Sequence, residues 1–93
     1  MSNLLPIGTV VTIDSDIKIQ CMIMGYYPID HERNEKFLYA AVLYPYGIEN
    51  QNSCLLINEE DIVEVVFYGF CNEECNKILH TIPYVMDLIE QEI

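Results

Sequence analysis

Ile62-Val63-Glu64-Val65-Val66-Phe67-Tyr68-Gly69-Phe70 runs directly into Cys71-Asn72-Glu73-Glu74-Cys75-Asn76-Lys77-Ile78-Leu79, and across this join the hydrophobic period changes. The first half is dense in β-branched and aromatic side chains, which suit a pleated, half-buried surface, and Gly69 marks a bulge or the exit from a sheet. In the second half Cys75, Ile78, Leu79 and Ile82 fall at i, i+3, i+4 and i+7, the apolar stripe of an amphipathic helix. Asn72 stands at the N-cap position, and Glu73 and Glu74 occupy the first turn, where carboxylates meet the positive end of the helix dipole. Pro83 has no amide hydrogen and its ring opposes the carbonyl of Leu79, so the helix is expected to be kinked or interrupted there. The stripe continues through Val85 or Met86, Ile89 and Ile93, a segment either packed on the sheet or offered to a partner.

Working back toward the N-terminus, every other apolar segment is strand-like. Ile7-Gly8-Thr9-Val10-Val11-Thr12-Ile13 closes on the turn-forming Asp14-Ser15-Asp16, after which Ile17, Ile19, Cys21 and Ile23 alternate with Lys18, Gln20, Met22 and Met24. These two strands are expected to form a hairpin. Gly25-Tyr26-Tyr27-Pro28 ends the second, and residues 30–36 carry mixed charges without apolar periodicity, the composition of a solvated loop. Phe37-Leu38-Tyr39-Ala40-Ala41-Val42-Leu43-Tyr44 fits a central strand, stopped by Pro45 and Gly47, and Ser53-Cys54-Leu55-Leu56-Ile57 fits a short one. Asn58 followed by Glu59, Glu60 and Asp61 suggests a single capped helical turn before the last strand. The expected architecture is therefore one α+β domain over residues 1–93, with about five mostly antiparallel strands in a bent sheet or small open barrel, covered by the C-terminal helix.

Composition sets limits on function. About half the residues are apolar and a fifth charged, which supports a packed core and not a disordered chain. Fifteen acidic against four basic side chains give a net charge of −11, a field that repels phosphate backbones and anionic membrane surfaces, so neither nucleic acid nor membrane is an expected partner. Residues 1–47 carry five acidic and three basic groups, whereas residues 48–93 carry ten and one, so the second half holds the electrostatic handle. Residues 1–6 lack the basic start and long apolar stretch of a signal peptide, and no apolar run is long enough to span a bilayer, which points to the cytoplasm and to reduced thiols at Cys21, Cys54, Cys71 and Cys75.

Chemistry-bearing motifs are sparse. Cys71 and Cys75, with His80 five residues on, supply three metal-type ligands where a closed zinc site needs four, and no paired spacing at Cys21 or Cys54 completes them. A cysteine nucleophile needs an oriented histidine base, and no local signature links His31 or His80 to one. Glu59, Glu60 and Asp61 read as a solvated capping cluster rather than an acid–base pair with split pKa values. Neither a glycine-rich phosphate loop nor a Gly-x-Ser-x-Gly elbow is present. No catalytic, metal-ligating or cofactor-binding residue is assigned, and no cofactor is expected. Tyrosines and a phenylalanine cluster instead at strand ends, at Tyr26, Tyr27, Tyr44, Tyr46, Tyr68 and Phe70, where a ring is half buried and its polar edge stays wet, a combination enriched at protein interfaces.

Four short stretches, in order, carry a family resemblance: Leu5-Pro6-Ile7-Gly8-Thr9-Val10-Val11, Met22-Ile23-Met24-Gly25-Tyr26, Tyr44-Pro45-Tyr46-Gly47, and Glu60-Asp61-Ile62 leading into Val65-Val66-Phe67-Tyr68-Gly69-Phe70. Their order and spacing resemble a family of small uncharacterised proteins of Gram-positive bacteria, often encoded in type VII secretion loci beside toxins with LXG-type targeting domains. The resemblance covers residues 4 to about 80; Cys71, Cys75 and the tail beyond Pro83 lie outside its pattern. It implies a non-catalytic accessory protein, a chaperone or adaptor that holds such a toxin or its small helical targeting partner before export. The expected contact residues are the strand-end aromatics Tyr26, Tyr27, Tyr44, Tyr46, Tyr68 and Phe70, with Glu59, Glu60 and Asp61 steering the encounter. An immunity protein that neutralises the toxin domain is the alternative, and a thiol- or zinc-dependent enzyme using Cys71, Cys75 and His80 a third reading. Homo-oligomerisation is left open.

Overall fold

A computed structural model describes residues 4–92, with side chains placed for residues 4–89. Seven strands, one 3-10 turn and one helix follow in the order β1 (Val10–Thr12), β2 (Gln20–Tyr26), β3 (Ile29–Asp30), β4 (Glu35–Lys36), β5 (Tyr39–Leu43), β6 (Cys54–Ile57), η1 (Glu59–Asp61), β7 (Glu64–Phe67) and α1 (Glu73–Glu92). Five strands form one antiparallel sheet in the order β6-β5-β2-β1-β7, with β3 and β4 as a separate two-stranded ladder. The class is α+β; the main sheet is open, and its edges are β6 and β7.

The expected first hairpin is present, with Val11 opposite Cys21 and Thr12 opposite Gln20. Its turn is built by Asp14, whose Oδ1 accepts the backbone N–H groups of Asp16 at 2.8 Å and Ile17 at 3.1 Å, while Lys18 takes the left-handed conformation at φ 53°. That turn absorbs residues the alternation assigned to the strand, so Ile17 is 70% exposed and β2 starts only at Gln20. Residues 30–36, read as a loop, contain a ladder instead: Ile29 pairs with Lys36 and Asp30 with Glu35. The Asp30 carboxylate accepts the N–H groups of Glu32 and Arg33, and Asn34 adopts φ 55°, so local turn chemistry closes a hairpin that has no apolar pattern.

The 39–43 segment lies inside the sheet, between β6 and β2, with β2 in the middle position. Side-chain alternation then defines two faces. Val11, Cys21, Ile23, Tyr39, Ala41 and Ile57 point inward and join Leu4 and Leu79 of α1 in one buried cluster, with Cys75 and Ile82 partly buried against it. On the opposite face Val10 pairs with Met22, Met22 with Val42, and Ala40 with Leu56. Fully burying an aliphatic side chain is worth roughly 1.5–3 kcal/mol, so the inner cluster is the main source of cohesion.

Asn72 caps α1 as expected, its Oδ1 accepting the Cys75 N–H at 2.8 Å. Pro83 lies buried inside a single helix that runs from Glu73 to Glu92, not at a restart. Ile78, placed on the inner stripe by its spacing, is exposed: the sheet covers only the narrower arc through Cys75, Leu79 and Ile82. Beyond Pro83, Tyr84, Val85, Leu88 and Ile89 are all exposed, so that half of the helix is offered to solvent and not packed on the sheet. Ile93, the last position of the stripe, lies outside the described residues.

Candidate protein-binding surface

The aromatic residues separate into an inward pair and an outward group. Tyr26 donates its hydroxyl to the Leu5 carbonyl at 2.6 Å, and the Tyr39 hydroxyl accepts the Leu5 N–H at 3.0 Å, so two rings 6.0 Å apart clamp the backbone of one residue. Burial, with smaller contributions from Cys75, Tyr39 and Cys71, pushes the Tyr26 phenol up to about 12. Tyr39 is raised in the same direction by burial. Tyr26, one of the expected contact residues, therefore has its polar end committed inside the protein. Tyr27 packs partly buried against the core at φ 54°, where the chain leaves β2.

The outward group divides between the two ends of the sheet, Tyr44 and Tyr46 at the end away from Tyr26 and Tyr68 and Phe70 at the same end as Tyr26. Tyr44 and Tyr46 stand exposed in the turn between β5 and β6, in a stretch with a cis Tyr44–Pro45 bond and Gly47 at φ 73°. Tyr68 and Phe70 follow β7, with Phe70 84% exposed. Gly69 between them has a specific reason to be glycine, because an added Cβ would collide with the Ile7 carbonyl and the backbone of Gly8 and Thr9. Its own N–H donates to Thr9 Oγ1 at 3.0 Å, which locks the β7 exit against β1. The close approach fixes where Tyr68 and Phe70 project.

Two clefts border residues 66–70. On the open face of the sheet Val10, Met22, Tyr44, Val66 and Phe67 line one of about 440 Å³. On the helix side Ile7, Tyr26, Phe70, Cys75 and Ile78 line another of about 280 Å³, with Glu74 at its wall. The structure thus brings Tyr44 beside the end of β7 and seats Phe70 against α1. Phe67, Val66, Ile7 and Ile78 belong to this surface and were not singled out by the sequence. The signal for Phe67 and Val66 was present in residues 62–70, which are apolar on both faces of an extended chain, but they read equally well as core.

The acidic triplet divides as well. Asp61 accepts the Asn58 N–H at 2.8 Å and so stabilises η1, while the Asn58 side chain turns away to accept the Leu38 N–H at 3.0 Å. Asp61 is thereby spent on structure. Glu60 is exposed, and Glu59 holds an interaction of its own within the fold.

The cysteine and histidine residues sit together only in part. Cys71 neighbours Cys75, and a hydrogen bond with it, followed by desolvation and charge, pushes the Cys71 thiol up to about 11, which disfavours the thiolate that nucleophilic chemistry needs. His80 is exposed with Nδ1 2.7 Å from the Asn76 carbonyl oxygen. Among the described residues no three His, Cys, Asp or Glu side chains gather as a metal-holding group. No helix among them is long and apolar enough to cross a membrane.

A family model matches residues 4–78, from the clamped Leu4–Leu5 segment through β7 and into the first turns of α1. The chain belongs to the family described as a domain of unknown function, DUF4176. The matched span holds every strand, the open-face cleft and all the outward aromatics, and it leaves Leu79 of the helix-side cleft and most of α1 outside. No curated protein and no solved structure matches the chain.

Proposed function

We propose that this chain is a non-catalytic, protein-binding accessory factor of the cytoplasm, a chaperone or adaptor that holds a type VII-secreted LXG-type toxin or its small helical targeting partner before export. The observation that carries the reading is that Tyr44, Val66 and Phe67 line a cleft on one face of the sheet and Phe70 and Ile78 line another on the helix side, on either side of the segment 66–70 by which the chain leaves the edge strand. Exposed rings next to carboxylates provide apolar anchors together with electrostatic steering, the combination by which protein interfaces gain affinity and encounter rate. The resemblance in motif order supplies the secretion context, and membership in the DUF4176 family is compatible with it.

Co-expression with the products of neighbouring genes tests the proposal. The expected result is a stable complex with the toxin's targeting region or its helical partner, unaffected when the toxin domain is exchanged. Binding that follows the toxin domain instead makes the protein an immunity factor, and a chain that captures neither overturns the proposal.

A further inference from the structure

Among the described residues no strand pairs with the outer edge of β7, although β7 leaves more apolar side chain exposed than β6 at the opposite edge, with Val66 and Phe67 both open to solvent. An edge strand presents a row of unpaired backbone N–H and C=O groups, and soluble proteins guard such edges with lysine, proline or a covering element. Residues 62–70 contain no lysine and no proline, and Val63, Val66, Phe67 and Tyr68 are all exposed along them. The opposite edge differs: none of Leu55, Leu56 and Ile57 in β6 is exposed. Two features limit what β7 can accept. It is four residues long, and a bulge at Val66, the extra residue between the Val10–Phe67 and Val11–Val65 pairs, gives it a sharp local twist. A short segment fits such an edge; a long flat sheet does not.

Charge identifies the occupant. Glu59, Glu60, Asp61 and Glu64 precede or begin β7, Glu73 and Glu74 follow it, and no lysine or arginine occurs between Lys36 and Lys77. Each copy carries a net charge of −11 and a carboxylate, Glu64, in the strand itself, so pairing β7 with the β7 of a second copy brings like charge together, which is destabilising. An extended segment with lysine or arginine toward its ends meets the opposite sign at each.

We infer that the β7 edge takes up, by strand addition, a short extended basic segment of the partner polypeptide, whose alternate apolar side chains lie on the open face beside Val66 and Phe67. The inference rests on the protein-binding reading above and adds to it the conformation and charge of what is bound. Main-chain hydrogen bonds of the new ladder supply affinity, and the flanking aromatic side chains supply selectivity.

A capped peptide of sequence Lys-Val-Thr-Val-Lys-Val-Thr-Val-Lys serves as the probe, titrated against the whole chain at low and physiological salt. The expected result is saturable binding that weakens with salt and slows amide exchange at Glu64–Phe67. Replacing the lysines by glutamate, or N-methylating the central residues so that both peptide edges are blocked, is expected to weaken binding by roughly tenfold or more. Glu64→Lys is expected to weaken it severalfold without altering the circular dichroism of the chain. An N-methylated peptide that binds as well as the parent overturns the inference, as do protection mapped to α1 or β6, absence of binding, and a free chain already dimeric with Glu64–Phe67 protected. A chain that co-purifies with its toxin yet ignores this peptide loses the strand-addition inference and keeps the accessory reading. A chain that binds the peptide but no neighbouring gene product shows the reverse.

Discussion

The inner face of the sheet and the border at β7 are built from the same kinds of side chain and put them to opposite uses. Under α1, Val11, Cys21, Ile23 and Tyr39 are sealed from water, and Tyr26 and Tyr39 spend their hydroxyls on Leu5. Around β7, Phe67, Tyr68 and Phe70 are left more than half exposed. An apolar surface left open costs solubility and invites association, and the stretch from Glu59 to Glu74 that contains it carries six carboxylates and no lysine or arginine. The difference separates residues whose loss should unfold the domain from residues whose loss should only silence it.

Four substitutions or conditions sharpen that division. Ile23 is fully buried in the middle strand, so Ile23→Ala is expected to cost roughly 2–5 kcal/mol in denaturant unfolding. A loss well under 1 kcal/mol there would mean that the inner face is loosely packed. Gly69→Ala drives a Cβ into the Ile7 carbonyl and is expected to cost about 1–3 kcal/mol, while also displacing Tyr68 and Phe70 and so weakening partner capture. This substitution joins the two regions, and an unchanged melting temperature would show that the β7 exit is not held against β1.

Alkaline pH probes the tyrosine clamp. The Tyr26 phenol is raised to about 12 in the fold, so between the ordinary value near 10 and 12 the unfolded chain gives up a proton that the folded chain retains. Its contribution to stability is complete below pH 10 and is lost as pH climbs through that window. Unfolding followed with tyrosinate absorbance should show the loss, and Tyr26→Phe should reduce it to the part that Tyr39 contributes, at a cost in neutral solution of about 1 kcal/mol for the hydrogen bond to Leu5. The smallest stability effect is expected at the border: Phe70→Ser should shift unfolding by no more than about 0.5 kcal/mol while weakening partner binding severalfold or more. A large destabilisation would move Phe70 into the core and remove it from the interface.

Sequence patterning revealed the α+β class because the period changes sharply between Phe70 and Cys75, and it revealed the β1–β2 hairpin because Asp14-Ser15-Asp16 separates a β-branched run from an alternating one. It missed the β3–β4 ladder, whose closure depends on Asp30 and Asn34 and on no hydrophobic signal. The sequence places Tyr26 among half-buried strand-end rings with a wet hydroxyl, and the partner that takes that hydroxyl, Leu5, lies 21 residues away, a distance no local pattern spans. The site was half legible for a related reason. Tyr44, Tyr46, Tyr68 and Phe70 stand where turn chemistry leaves them exposed, whereas Phe67 and Val66 became surface only because β7 settled at the edge of the sheet. Strand order is a tertiary outcome that alternation along one strand does not encode.

Backbone hydrogen exchange, measured on the free chain and on its co-expressed complex with the toxin's targeting region or helical partner, tests the border most directly. The account predicts that slowed exchange on binding concentrates in residues 62–70, with the inner positions Val11, Cys21 and Ile23 unchanged. Slowing confined to the β6 edge or to the β3–β4 ladder, with residues 62–70 exchanging as fast as in the free chain, would contradict it.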